Sequence, residues 1–264
     1  ATHTAKTVVS ELMRIEWHTV GGICSRVYKE LESQSASRFD ALVNIGIDET
    51  SYKKGHKYLT VVINHDTASV IWCGVGFGKD VLSRFFELLT PDQKASIRCV
   101  SADGARWIAS CIQKYCPNAE CCVDPFHVVS WATEALDNQR RKAWAEARQT
   151  AREARKRSKG RPARGETVNS EKKQATAVKN LRYALLKNPE HLSENQQAQL
   201  KFLTAANPRL YRAYLLKEGL RLALKAGADE ISMALKKWMA WAQRCRIPGF
   251  RELRLKIKRN FDSI

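Results

Sequence analysis

The sequence predicts an α/β protein: a mixed five-stranded sheet with flanking helices, followed by a wholly helical part. Two observations carry this. Between residues 39 and 123, short apolar runs rich in Val and Ile alternate with stretches of helical period, in the order β-β-β-α-β-α-β. From Pro125 onward only helical periodicity remains, punctuated by Asn188-Pro189, Asn207-Pro208 and Pro248-Gly249.

Each element has a local reason. Residues 42–48, 57–63 and 69–75 are apolar runs of strand length, and Asn64-His65-Asp66-Thr67 joins the second and third as a hairpin. Residues 79–89 and 105–115 have helical period, while 97–102 and 119–123 complete the strands. Beyond Pro125 the helices are expected at 128–156, 172–186, 194–205, 210–225, 230–244 and 251–259, with Ser193-x-x-Gln196 as a capping box. Ahead of the sheet, residues 5–31 read as two short helices around Met13-Arg14-Ile15-Glu16. The second carries Trp17, Val20, Ile23, Val27 and Leu31 at helical spacing. This segment reads either as a helix-turn-helix or as a plain helical hairpin, and Gly21-Gly22 weighs against a strong second helix. The divisions expected are 1–37, 38–135 and 136–264.

Charge narrows the function. The chain has 45 Lys and Arg against 27 Asp and Glu, a formal charge of +18, which favours a polyanionic partner. Residues 138–182 alone hold fifteen Lys and Arg against four Glu. That local excess points to a DNA surface carried by Arg140, Arg141, Lys142, Arg161, Arg164, Lys172 and Lys173. Within it, Lys159-Gly160-Arg161-Pro162-Ala163-Arg164-Gly165 reads as an inter-helix linker or as the Gly-Arg-Pro core of a minor-groove hook. Trp131, Trp144, Trp238 and Trp241 read as helix-packing residues or, where exposed, as platforms on which an unpaired base could stack. No apolar run is long enough to cross a bilayer, no leader is evident at residues 1–6, and the expectation is a cytoplasmic, nucleoid-associated protein. The eight cysteines lie mostly in apolar segments, as core thiols do, and Cys111, Cys116, Cys121 and Cys122 lack the spacing of a zinc site.

Three acids follow directly on apolar strands: Asp48-Glu49, Asp103-Gly104 and Asp124-Pro125. Where such strands run parallel, their C-terminal ends share one sheet edge, and the carboxylates converge there. Clustered carboxylates repel one another unless cations neutralise them, and hard oxygen donors suit Mg2+ or Mn2+. Two such ions can hold the attacking and leaving oxygens of a phosphodiester substitution. Taken singly, Asp103 and Asp124 also suit a turn or a helix N-cap. His127, three residues after Asp124, could contact a phosphate, hold Asp124, or simply be polar surface.

The runs Gly46-Ile47-Asp48-Glu49, Ser101-Ala102-Asp103-Gly104-Ala105-Arg106-Trp107 and Val123-Asp124-Pro125-Phe126-His127-Val128-Val129 together resemble the DDE transposases of bacterial insertion sequences, specifically the ISL-three family. The resemblance implies an RNase H-like core with a helical insertion after the fifth strand. It implies that Asp48 and Asp103 are the first two metal-binding acids, with Asp124 and His127 beside them in the catalytic site. It also implies Mg2+ or Mn2+ as cofactor, two ions in the complete site. Double-stranded DNA at transposon ends and target is the implied substrate, handled by a homodimer or higher oligomer. The family's third acid, a Glu in a helix, has no match among Glu218, Glu230 and Glu252, and is expected C-terminal to residue 264, so residues 1–264 by themselves are expected to bind DNA but cleave it poorly. Two other readings remain open: another RNase H-like nuclease such as a junction resolvase, and a DNA-binding regulatory fragment without catalysis.

Overall fold

The structure, a computed structural model, describes residues 4–34, 38–157, 173 and 175–264. The chain divides into two compact units, Ala1–Cys121 and Cys122–Ile264, a boundary that falls inside the fifth strand.

In the first unit, helices α1 (Lys6–Met13) and α2 (Trp17–Gln34) precede strands β1 (Asn44–Lys53), β2 (Lys57–Asn64) and β3 (Ser69–Val75). Then follow α3 (Lys79–Glu87), α4 (Pro91–Ser96), β4 (Cys99–Ala102), α5 (Arg106–Tyr115) and β5 (Glu120–Val123). The strands form one mixed sheet in the order β3-β2-β1-β4-β5. β2 runs antiparallel to β1 and β3, and β4 runs parallel to β1. The expected α/β class and its five strands are what the structure shows.

Alternation along the strands decides what the sheet buries. Ile45 and Ile47 of β1, Val62 of β2, Ile71 of β3, and Val100 and Ala102 of β4 enter one core with Leu82, Phe85 and Phe86 of α3 and Ile108 and Ile112 of α5. Full burial of each large apolar side chain contributes roughly 1.5–3 kcal/mol, so this one-sided seam fixes the strand register. The intervening residues of β1, Asn44, Gly46 and Asp48, therefore face the other side.

Two details differ from expectation. β1 does not stop at Asp48: it runs on to Lys53, because Glu49, Thr50 and Ser51 pair with Thr60, Leu59 and Tyr58 of β2. β1 and β2 are themselves a hairpin, turned at Gly55 (φ 89°) and His56 (φ 58°). The extension is polar and exposed, so its composition hides it. The short α4 is the second difference; Thr90 and Gln93 close a full capping box at its start.

α1 and α2 form as the spacing predicts, yet of the apolar side chains on α2 only Val20 is buried. Trp17, Ile23, Val27 and Leu31 stay exposed, as does Leu12 of α1.

In the second unit a long helix, α6 (Pro125–Arg157), packs with helices Arg182–Leu186, Pro208–Ala223 and Pro248–Arg259, and helices Glu194–Ala206 and Ala228–Arg244 pack on Pro208–Ala223. Their core includes Leu136, Leu185, Leu203, Leu216, Leu220, Phe250 and Ile257. The capping box at Ser193 and Gln196 forms as expected. Trp238 is buried and donates from Nε1 to the Leu216 carbonyl at 2.8 Å, while Trp131, Trp144 and Trp241 pack half-buried against the same core. Gly219 makes room for Trp241, whose ring would lie 2.8 Å from a Cβ there. A buried polar cluster also crosses this core: Lys217 Nζ donates to the carbonyls of Leu185 and Lys187 and pairs with Glu218, which with Glu190 holds Arg221. Glu218 is thereby committed to structure.

Candidate active site

The parallel pairing of β1 with β4 places the first two acids. Asn44, Ile45 and Gly46 stand opposite Cys99, Val100 and Ser101. Two residues further along each strand come Asp48 and Asp103, so the register sets them at matching positions on strands about 4.8 Å apart. Asp48 lies within β1, but relative to its neighbour β4 it sits just past the last pair, at the carboxyl edge. Asp48 lies on the face turned away from the α3–α5 core, and Asp103 follows directly on the last residue of β4.

Local hydrogen bonds orient the two carboxylates. Asp48 Oδ1 accepts from the Glu49 backbone N–H at 2.9 Å. Asp103 Oδ1 accepts from the Ala105 N–H at 2.8 Å across Gly104, whose φ of 79° turns the chain into α5. The turn role and a metal role are compatible for Asp103, since the turn engages Oδ1.

Glu49 is a site residue that sequence reasoning misses. Its Oε1 accepts from the Gly78 N–H at 2.8 Å, at the start of α3. Burial pushes its carboxyl above the ordinary value; the Gly78 N–H pulls the other way, and the charges of Asp103 and Asp48 raise it again. The charges of Asp103 and Asp48 thus reach Glu49 at this edge. Among the described residues, however, no group of three or more His, Cys, Asp or Glu is arranged to hold a metal ion.

One register step back from the acid pair lies a second polar pair, also absent from the sequence-based expectations. His65 Nε2 and Ser101 Oγ are 2.7 Å apart. To reach Ser101 on β4, the imidazole crosses β1 at Gly46, where a Cβ would come within 2.8 Å of Nε2 and of Ile63 Cγ1. A glycine inside an apolar strand is the one signal in the sequence of such a close approach.

Asp124 and His127 lie in the second unit. Asp124 caps α6, its Oδ1 accepting from the Phe126 N–H at 2.8 Å and its carbonyl from the His127 N–H at 3.0 Å. The His127 ring stands edge-on to Phe126.

The basic residues sort by burial. Arg140 is buried, its guanidinium 2.7 Å from Asp137 Oδ1, a structural pairing that leaves it little surface to offer DNA. Arg141, bonded to Asp137 Oδ2 at 2.8 Å, keeps its side chain 65% exposed, and Lys142 and Lys173 are exposed too. Burial pushes the Asp137 carboxyl up, but the hydrogen bonds and charges of Arg140 and Arg141 outweigh it and hold it below its ordinary value. Arg161, Arg164 and Lys172, with the candidate minor-groove hook, lie outside the described residues. The structure adds an open cleft of about 470 Å³ lined by Lys236, Met239, Ala240, Gln243, Arg244 and Arg254.

Burial pushes the Cys116 thiol up to about 11, as suits an unreactive core position. No helix among the described residues is long and apolar enough to cross a membrane.

Residues 45–264 match the family model of the ISL-three DDE type, described as "Transposase". Over 256 residues the chain is 50% identical to the transposase for insertion sequence element IS1557 of Mycobacterium tuberculosis, in two strains, covering 97% of this chain and 57% of that protein. It is 29% identical over 215 residues to the transposase for insertion sequence element IS1001 of Bordetella parapertussis, covering 81% of this chain and 47% of that one. The chain therefore spans about half the length of the curated relatives it matches.

Proposed function

The chain belongs to the ISL-three family of DDE transposases, and on that footing we propose that it cuts DNA at the ends of an insertion sequence and joins the freed ends to a target. The observation that carries this is the parallel register that brings Asp48 and Asp103 to matching positions at one sheet edge. The mixed sheet with a parallel β1–β4 pair is consistent with an RNase H-like core.

The donor set fits a divalent cation. Two carboxylates on adjacent strands, each oriented by a backbone N–H, offer hard oxygen ligands of the kind Mg2+ and Mn2+ prefer. When bound, the ion neutralises the charge that develops on the phosphate oxygens. In the first transfer a water oxygen bonds to phosphorus, the P–O3′ bond breaks, and the 3′ oxygen leaves as a hydroxyl. In the second, that hydroxyl's oxygen bonds to a phosphorus of the target, the target's own P–O3′ bond breaks, and its 3′ oxygen leaves as a hydroxyl. The chain's own part is to hold Asp48 and Asp103 at one edge, with Glu49 tying β1 to the start of α3. Asp124 and His127 are assigned to the site on the family resemblance and their place directly after β5. The exposed Arg141, Lys142 and Lys173, with the Lys236–Arg244–Arg254 cleft, hold DNA through its phosphates. Joining two ends calls for two or more copies.

The test is nicking of a labelled insertion-end duplex in Mn2+. The Asp48→Asn and Asp103→Asn proteins are expected to lose at least a hundredfold in cleavage, as removal of a key charge-stabilising group does, while still binding the duplex. Cleavage undiminished in either variant overturns the assignment. A second reading, DNA binding without cleavage, is favoured by one observation: no three metal-binding side chains come together among the described residues. Binding without nicking, in every divalent cation tried, selects it.

A further inference from the structure

We propose that the His65–Ser101 pair is a phosphate-holding station for the DNA strand on which the Asp48–Asp103 pair acts. In it the serine hydroxyl donates to a non-bridging phosphate oxygen, and the imidazole orients that hydroxyl. The proposal rests on the transposase reading and adds a substrate contact to it.

Three observations converge on this pair. The first is the close approach at Gly46, inside a strand, where a Cβ would lie 2.8 Å from His65 Nε2, 3.1 Å from its Cε1 and 2.8 Å from Ile63 Cγ1. The second is exposure. The His65–Ser101 hydrogen bond of 2.7 Å is open to solvent, where exchange with water leaves such a bond little net weight in stability. The third is position: Gly46 and Ser101 are directly paired, Asp48 follows two residues later on the same face of β1, and Asp103 follows two residues after Ser101, directly past the end of β4. A two-residue step is about 6.6 Å along a strand. At that separation the acid pair and the His65–Ser101 pair can engage successive phosphates of one strand.

The chemistry suits an anion. A serine oxygen that accepts from the imidazole Nε2–H keeps its own proton to donate, and the ring fixes the direction in which it points. The nearest acid in sequence, Asp66, is engaged elsewhere: its oxygens accept from Asn44 Nδ2 at 2.7 Å and the Asn44 backbone N–H at 3.2 Å. His65 therefore serves as a positioning residue for Ser101.

The experiment measures binding of a short fluorescein-labelled duplex in Ca2+, with thermal unfolding followed in parallel. Ser101→Ala and His65→Gln are expected to bind roughly tenfold more weakly, the loss of one hydrogen bond to a charged group, at an unchanged unfolding temperature. Ser101→Thr, which keeps the hydroxyl, is expected to restore affinity. The ring-nitrogen NMR signals of His65 should move when duplex is added to the parent protein and stay still in Ser101→Ala. Parent-like affinity in both variants overturns the proposal, as does a loss that tracks a lowered unfolding temperature or is not restored by threonine. A parent protein that binds no duplex overturns the DNA reading itself, and this proposal with it.

Discussion

The Glu49 carboxylate accepts the Gly78 backbone N–H at 2.8 Å, fastening the start of α3 to β1 at the residue next to Asp48. This bond is made by a carboxylate that burial and two neighbouring acids hold above its ordinary pKa. An acid raised in the folded state contributes most to stability at low pH, and that contribution is lost as pH rises through the folded value. Without divalent cations, Glu49→Gln, which keeps an acceptor for Gly78, should therefore unfold at a temperature equal to or above the parent at neutral pH. The gap should close as the pH is lowered and the parent carboxyl takes up its proton. Thermal scans across that range check this; a gap that widens on acidification contradicts it.

Much of this arrangement is legible in the sequence, and the misses have physical causes. The strands can be read because their buried positions are largely Val and Ile. The polar half of β1, Glu49 to Lys53, cannot, because it is held by backbone pairing with β2 and buries almost nothing. Glu49 reads as the end of a strand when it is a tie to α3, since a bond to a residue 29 positions away leaves no local pattern. Arg140 escapes for a different reason. The i+3 and i+4 spacing of Arg140 and Arg141 from Asp137 is visible and predicts pairing, but only the packing of α6 shows which arginine is buried.

Arg140 and Arg141, adjacent in sequence, should therefore behave oppositely when replaced. Arg140→Ala leaves Asp137 with only an exposed partner and should cost about 3 kcal/mol of stability, read by chemical denaturation. Arg141→Ala should cost less than about 1 kcal/mol, as exposed pairs do, and weaken DNA binding instead. Equal stability losses would show that burial does not separate their roles.

The same pair predicts an acid limit to stability. The Asp137 carboxyl is depressed in the folded state, so its stabilisation is present at neutral pH and fades as pH falls through the folded value. Asp137→Asn should remove that dependence, and the difference from the parent should shrink on acidification. A difference independent of pH contradicts the pairing.

The cleft between helices Ala228–Arg244 and Pro248–Arg259 should reveal itself through salt. Removing a cation that touches one phosphate should lower the slope of log affinity against log salt by about 0.9. Lys236→Ala, Arg244→Ala and Arg254→Ala are each expected to show such a drop with non-specific duplex. Slopes identical to the parent would remove this cleft from the DNA surface.

The central claim is that Asp48 and Asp103 together hold a divalent cation, and Mn2+ titration followed by backbone NMR tests it most directly. Paramagnetic broadening should appear first at the amides of Glu49 and Ala105, whose N–H groups are bonded to the two carboxylates, and should vanish in both Asp48→Asn and Asp103→Asn. Broadening centred elsewhere, or persisting in Asp103→Asn, would contradict it.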